Sequence, residues 1–420
     1  MTAAHDDRPD PEPRGSGPGL VRSLNLRAVL DVLLDEEGGS TRPALAERTG
    51  ISLPTVSSLV ADLERLGLVD ELGVASGSLG RPAHLYGLVP TAGHVVALVL
   101  DGEAVQAGVA DLRGRTLEQR TVLLDDDRPE GLIARLGRLR EELLAAAELD
   151  PRSLGIVSLG VPGVWRAATD TVTDVPSVPA LTGMHPRAAL SARTGTEVVV
   201  ENDVNLAALG ERRVGTAQGV DDFVVISVGS GAGMGVVIDG ELFRGHSGAA
   251  GELALLPIGA NPYDPTYRGA GAFEAAAAGG GLSRRLHEAL ARGEATILRA
   301  EATATDVLTA AAGGDTLAAR LVDEEARTLA LGVAAAAAML DPRLVVLGGR
   351  VGSDARLAAA VARYASRLLP RGPELLPSTL GVRAPYEGAL AAGLDTLRAR
   401  LLAEADPMGR TVATAEGAER

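Results

Sequence analysis

The sequence predicts an α/β protein in two parts: a winged helix-turn-helix over residues 19–90 and a two-lobed body over 91–403. Three observations predict it. Apolar residues at Leu45, Ile51, Val56, Leu59, Leu63 and Leu66 recur at helical spacing on both sides of a break at Gly50. From Val95 a strand–strand–strand–helix–strand order appears, and it restarts at Phe223. Each copy delivers glycine-rich or polar segments to strand ends, at 160–163 and 201–205 in the first and at 229–235 and 348–349 in the second.

Residues 1–18 are Pro, Gly, Asp and Arg, cannot build a core and are expected to be disordered. A first helix is expected from Leu24 to Leu34, and two short helices pack on it. Gly50 ends the first of these; Ser52 caps the next, with Pro54 in its first turn. The connection is too short for anything but helix-turn-helix geometry. The second short helix presents Thr55, Ser57 and Ser58 near its N-terminus, where a recognition helix meets base edges. Beyond Gly67-Leu68-Val69, two strand-like segments around Gly73, Gly77, Gly80, Arg81 and Pro82 form a wing. The expected DNA contacts are Arg42, Ser52, Thr55, Ser57, Ser58 and Arg81, with Arg81 in the minor groove.

In the body, VVALVL from Val95 turns at Asp101-Gly102 into AVQAGVADL, and a third strand follows at Thr121 to Leu124. A helix from about Pro129 to Leu149 leads to the buried strand LGIVSLG, and EVVVEND then enters a helix near Val204. That order is one lobe, about 91–215, of an actin-like ATPase fold. The second lobe, about 216–403, opens with FVVISVGSG, AGMGVVIDG and ELFRG. Helices follow at 273–294, 303–313 and 315–340, then a strand at 343–349, a helix at 354–369, a strand near 378–384 and a last helix at 387–403. A cleft is expected between the lobes, and a disordered tail over 404–420.

Composition narrows the chemistry. There is no cysteine, hence no disulfide, thiolate zinc site or cysteine nucleophile, and all 40 basic residues are arginine. The net charge of −15 is unusual for a nucleic-acid binder, and residues 18–90 hold six arginines against nine carboxylates. Binding must therefore rest on a few salt-sensitive arginines, with Arg42, Arg48 and Arg81 on the phosphate side. No apolar run approaches bilayer length, and the N-terminus is no signal peptide, so the expectation is a cytoplasmic protein with no membrane partner.

Four segments are candidates for a site. Glu201-Asn202-Asp203-Val204-Asn205 lies at the end of a buried strand, where ligands of α/β sheets bind. A carboxylate there can accept a hydroxyl proton; an Asn or Asp there also simply caps the helix. The run Gly229 to Gly235 lets backbone N–H groups approach a phosphate, or is a plain tight turn. The loop from Gly245 to Glu252 places Glu252 against ligand hydroxyls, or leaves it solvated. Gly348-Gly349 is a nucleotide-side turn or a strand-to-helix turn.

Together these residues resemble the ROK family (repressors, open reading frames and kinases), in its regulator branch, over about residues 20–402. The resemblance is carried by TVSSLVADLERLGLV with GRP in the wing, GVPG at 160–163, ENDVNLAALGE at 201–211 and the run at 227–252. It implies that Asp203 stands at the position of the kinases' catalytic base, with Asn202, Glu252 and Glu274 as sugar contacts. The departures matter too. The family's zinc-binding histidine reads Leu255 and its cysteine run reads NPYDPTYRGAG, so no zinc is expected. The asparagine of the A-P-N-L-P segment reads Ser177. The phosphate motif D-x-G-G-T reads Asp101-Gly102-Glu103-Ala104-Val105, which adds a carboxylate and shows no compensating cation, so ATP is not expected.

The resemblance implies a regulator, a repressor of the ROK type, that binds a double-stranded operator as a homodimer or tetramer and senses a sugar or sugar-phosphate effector. It is expected to be no enzyme. Two alternatives remain open: an ATP-dependent sugar kinase, and a regulator whose degenerate pocket no longer takes sugar.

Overall fold

A computed structural model describes residues 18–74, 83–102, 104–124, 128–173, 177–259, 261–267 and 271–405. The segments expected to be tails and the wing tip with Gly77, Gly80, Arg81 and Pro82 lie outside them, apart from the helical residues at their edges. The chain divides into two compact units, Gly93–Thr396 and the described parts of 1–92 together with 397–420.

In the smaller unit, helix α1 (Pro18–Asp35) is followed by strand β1 (Ser40–Thr41), helices α2 (Arg42–Thr49) and α3 (Leu53–Arg65), and strands β2 (Val69–Val74) and β3 (His84–Leu88). The strands form one antiparallel sheet in the order β1-β3-β2. Sequence dictates the breaks. Thr41 accepts the Ala44 amide at 3.3 Å and starts α2, while Gly50, at φ 69°, ends it in the left-handed region that favours glycine. Leu26, Val29, Leu33, Leu45, Val56, Leu59 and Leu63 fill the core, whereas Ile51 and Leu66 are only half-buried. The first helix begins six residues earlier than its apolar pattern indicates, and Leu24 is exposed.

The larger unit repeats one topology. Its first sheet consists of β4 (Gly93–Asp101), β5 (Ala104–Asp111), β6 (Thr116–Leu123), β7 (Leu154–Val161) and later β10 (Glu197–Asn202), ordered β10-β7-β4-β5-β6. Helix α4 (Pro129–Ala146) precedes β7; a small hairpin, β8 (Val164–Arg166) and β9 (Thr171–Thr173), and helix α5 (Pro186–Thr194) precede β10. Helix α6 (Asp203–Val214) follows it. The second sheet, β11 (Phe223–Val228), β12 (Ala232–Ile238), β13 (Glu241–Leu242), β14 (Leu344–Gly348) and β15 (Glu374–Pro377), is ordered β13-β12-β11-β14-β15. In both, a meander of three antiparallel strands carries two parallel strands on its first member. Between β13 and β14 lie α7 (Ala272–Ala277), α8 (Gly279–Ala291), α9 (Ala304–Ala312) and α10 (Thr316–Leu340); α11 (Gly349–Gly352), α12 (Ala355–Leu368) and, last, α13 (Ala384–Ala405) flank β15.

The structure corrects four details. The third strand starts at Thr116, because its alternating exposure continues back along β5. The expected helix over 273–294 is two, broken where the Gly279 amide donates to the Gly229 carbonyl at 2.8 Å. The last strand is not at 378–384: β14 pairs with Glu374–Pro377, and the Ser378 hydroxyl then accepts the Leu380 and Gly381 amides at 3.1 and 2.7 Å, turning the chain. The β8–β9 hairpin and α5 are additional elements, too short or too polar to announce themselves by periodicity.

Two buried features join the lobes. Helices α6 and α13 cross so closely that a Cβ on Gly388 would overlap the Leu206 carbonyl. Glu211, fully buried on α6, accepts the Thr216 amide at 2.7 Å and the Ser378 hydroxyl from beyond β15. Thr216 in turn donates to the Pro377 carbonyl at 3.1 Å.

Candidate functional site

Parallel pairing of β10 with β7, through Glu201↔Gly160 and Asn202↔Val161, brings two of the predicted segments to one strand edge. Asn202 is the N-cap of α6: its Oδ1 accepts the Val204 and Asn205 amides at 2.9 and 3.0 Å. Its Nδ2 donates to the Gly163 carbonyl at 2.9 Å and to Asp203 Oδ1 at 3.1 Å. Both amide protons and the oxygen are thus engaged within the chain, so Asn202 positions its neighbour. Glu201, 6% exposed, does similar work. Its Oε1 accepts the Asn202 amide and Asn205 Nδ2, each at 2.9 Å, and Arg244 Nε donates to its Oε2 at 2.6 Å.

Asp203 is the carboxylate of this group with the most perturbed environment. It is half-buried at the first turn of α6. Burial pushes its carboxyl up to about 7; the charges of Asp101 and Glu252 add to the rise, and the Val204 N–H at 2.9 Å opposes it. The fold therefore brings Asp101 at the end of β4, Asp203 and Glu252 within electrostatic reach, although about 150 residues separate the first from the last. The cation missing from sequence reasoning is Arg350, on α11 in the second lobe, whose Nη2 lies 3.7 Å from Asp101 Oδ2. Nothing in the local sequence of either residue announces that pair. Glu103 lies outside the described residues.

Glu274 approaches from the second lobe, at the hairpin whose Gly233 packs against Val204 of α6. From α7 its Oε2 accepts the Ala232 amide at 3.1 Å, at the exit of the Gly229–Gly231 turn. Burial pushes its carboxyl up, and that N–H restrains the rise. A Cβ at Gly231 would lie 2.8 Å from the same oxygen, so a larger residue there would push the Glu274 carboxylate aside. Leu255 and Ser177 are exposed, Leu255 at 56%. No group of three or more His, Cys, Asp or Glu among the described residues is placed to hold a metal. With no cysteine in the chain and leucine at 255, the donors present do not fit a zinc centre.

In the DNA-reading unit, Ser52 caps α3 by accepting the Thr55 amide at 3.4 Å, and its hydroxyl lies 2.8 Å from that of Thr55. Ser52 and Ser58 are exposed; Thr55 and Ser57 are half-buried, and the Ser57 hydroxyl donates to the Leu53 carbonyl at 2.8 Å. The arginines are already partnered. Arg42 lies 4.6 Å above the Tyr86 ring and donates to Glu64 at 3.3 Å, Arg48 pairs with Glu36, and Arg22 and Arg65 both pair with Asp62. Phosphate contact by Arg42 or Arg48 requires an exchange of partners. Arg81 lies outside the described residues.

A winged helix-turn-helix joined to a duplicated, two-lobed sugar-kinase frame defines a DNA-binding transcriptional regulator. The MarR family model matches residues 28–76, the DNA-reading unit. The chain belongs to the ROK family, whose model matches residues 95–394. Among curated proteins it is 25% identical over 338 residues to a xylose repressor of Caldicellulosiruptor bescii, covering 79% of this chain and 84% of that one. Among solved structures, a ROK family transcriptional regulator described as a homologue of the E. coli MLC protein superposes with a TM-score of 0.73 at 22% identity, over 91% of this chain and 99% of that one. A ROK hexokinase from Thermus thermophilus superposes with a TM-score of 0.60 at 30% identity, over 73% and 99%. No helix of the described residues is long and apolar enough to cross a membrane.

Proposed function

We propose that this regulator is a repressor whose interlobe cleft takes a sugar or sugar derivative and transfers no phosphoryl group. The observation that carries the reading is the rise of the Asp203 carboxyl under burial and the nearby charges of Asp101 and Glu252, in a chain that also carries a capped helix-turn-helix. Carboxylates grouped in this way accept hydrogen bonds from hydroxyls and repel a polyphosphate. Glu274 already takes the hairpin N–H of Ala232, which supports the absence of nucleotide chemistry, whereas Arg350 beside Asp101 offsets part of the repulsion. The donors present do not fit zinc, and the altered phosphate motif at 101–105 supports a regulator that does not use ATP. The name of the xylose repressor supports a simple sugar as the effector class.

Effector binding between the lobes then biases their closure, and the DNA affinity shifts by the differential affinity of the sugar for the two states. A homodimer presents two recognition helices about one helical turn apart on a palindromic operator. Ser52, Thr55, Ser57 and Ser58 meet DNA from α3, Arg81 from the wing, and Arg42 by exchanging Glu64 for phosphate.

Selection of binding sequences from random DNA with the full chain, repeated with a panel of pentoses, hexoses and amino sugars, tests this reading. The expected result is one palindromic sequence, bound less tightly as salt rises and released by one class of sugar. No enriched sequence overturns it. One observation favours a sugar kinase instead: a carboxyl near 7 suits a general base. ADP release with any sugar, lost in Asp203→Asn, would establish that alternative.

A further inference from the structure

The second sheet carries a cavity at the end opposite the glycine hairpin. It has a volume of about 350 Å³ and opens where β11 and β14 begin, at Asp222–Val224 and Arg343, whereas Gly348 and the hairpin lie at the strands' far ends. Small-molecule sites start at about this size. Val224, Val236, Ile238 and Leu340 give the lining its apolar part, the floor, with Ile238 partly exposed, and Asp222, Asp341, Arg343 and Arg371 give it a polar part of comparable extent.

The charges are the informative part. Among the described residues neither guanidinium meets a carboxylate or a carbonyl, in a chain where most arginines of the smaller unit are paired. The backbone of Arg343 is fixed: its amide donates to the Asp222 carbonyl at 3.0 Å and its carbonyl accepts the Glu374 amide at 3.1 Å. One oxygen of Asp222 accepts the Asp239 amide at 3.0 Å, and its charge remains in the lining. Asp341, exposed at the left-handed end of α10 with φ 46°, is the other carboxylate in the lining, and it disfavours a doubly charged ligand.

We propose that this cavity is a second ligand site, distinct from the interlobe cleft, for a small organic monoanion. Its carboxylate is held by the guanidiniums of Arg343 and Arg371, and its apolar body lies on the floor. Arginine presents a planar fork that matches a carboxylate, and an apolar floor rewards a ligand with a hydrocarbon body. The site does not depend on the sugar reading.

Phenylacetate and its uncharged isostere phenylacetamide separate the two contributions. Titrated into the full chain and followed by calorimetry, phenylacetate is expected to bind and the amide to bind about tenfold or more weakly. The double variant Arg343→Ala/Arg371→Ala, at exposed positions that leave the core untouched, is expected to lose about tenfold or more for phenylacetate and nothing for the amide. Ile238→Asp, which places a carboxylate on the floor, is expected to weaken phenylacetate as well. Equal binding of acid and amide, wild-type affinity in the double variant, or no phenylacetate binding at millimolar concentration each overturns the proposal.

Discussion

Replacing Asp203 with Asn removes a titrating group and keeps its shape. The amide oxygen can still accept from Asn202 Nδ2 and the Val204 N–H, which lie 3.1 and 2.9 Å from Asp203 Oδ1. Folding raises this carboxyl from 3.8 to about 7. At about 1.36 kcal/mol per pH unit, the full rise corresponds to about 4 kcal/mol. Solvent reaches the half-buried group and screens it, which brings the expectation to roughly 2 kcal/mol. The direction follows from which form the fold prefers. The folded state favours the protonated acid, so the contribution is complete below about pH 4 and is lost as pH rises through about 7. Wild type should therefore lose stability relative to Asp203→Asn between pH 4.5 and 8, and the difference should level off above pH 8. Titrating groups remote from Asp203 cancel in that comparison. The single tryptophan, Trp165, reports on the lobe concerned, two residues from the Gly163 carbonyl that holds Asn202. Urea unfolding of both proteins, followed by its fluorescence across that range, measures the difference. A difference that stays flat with pH would refute a carboxylate disfavoured by burial and by its acidic neighbours.

Further tests address the frame around the site. Asn202→Ala leaves the amides of Val204 and Asn205 without their cap and should cost about 1–2 kcal/mol in unfolding free energy. Gly388→Val forces apart α6 and α13 at the Leu206 carbonyl and should destabilise the body by about 3 kcal/mol or more, read as a lowered Tm. Arg42→Ala should lower the thermal stability of the smaller unit by about 1 kcal/mol, through lost contact with Tyr86 and Glu64, even without DNA. Ser58→Ala, at an exposed position on α3, should leave stability unchanged within about 0.5 kcal/mol while weakening operator binding in a titration.

Much of the frame was legible in the chain. Gly50, Ser52 and Pro54 mark the helix-turn-helix because each acts on its own backbone: a left-handed glycine, a cap, a residue without an N–H. The strand order of the lobes was equally readable, since buried parallel strands are runs of Val, Leu and Ile. The end of that reading was less secure. Strand β15 is half-buried and holds a proline, and its place is set by β14 rather than by its own pattern. At the site, the cap function of Asn202 follows from one residue and its successors. Glu274, expected as a sugar contact, also accepts the Ala232 amide through one oxygen, a contact over 42 residues that no spacing rule encodes.

The sequence by itself determined the helix-turn-helix, the buried strands and their order in each lobe, the absence of thiol chemistry and the strand-end position of Asp203. Those properties depend on neighbours within a few residues or on composition alone. Tertiary structure decided what Asp203 experiences, which cation faces Asp101 and which arginines of the DNA-reading unit are already engaged. Each of these is an electrostatic interaction between residues far apart in the chain. Its strength depends on distance and on exclusion of water, and only the packed fold supplies either.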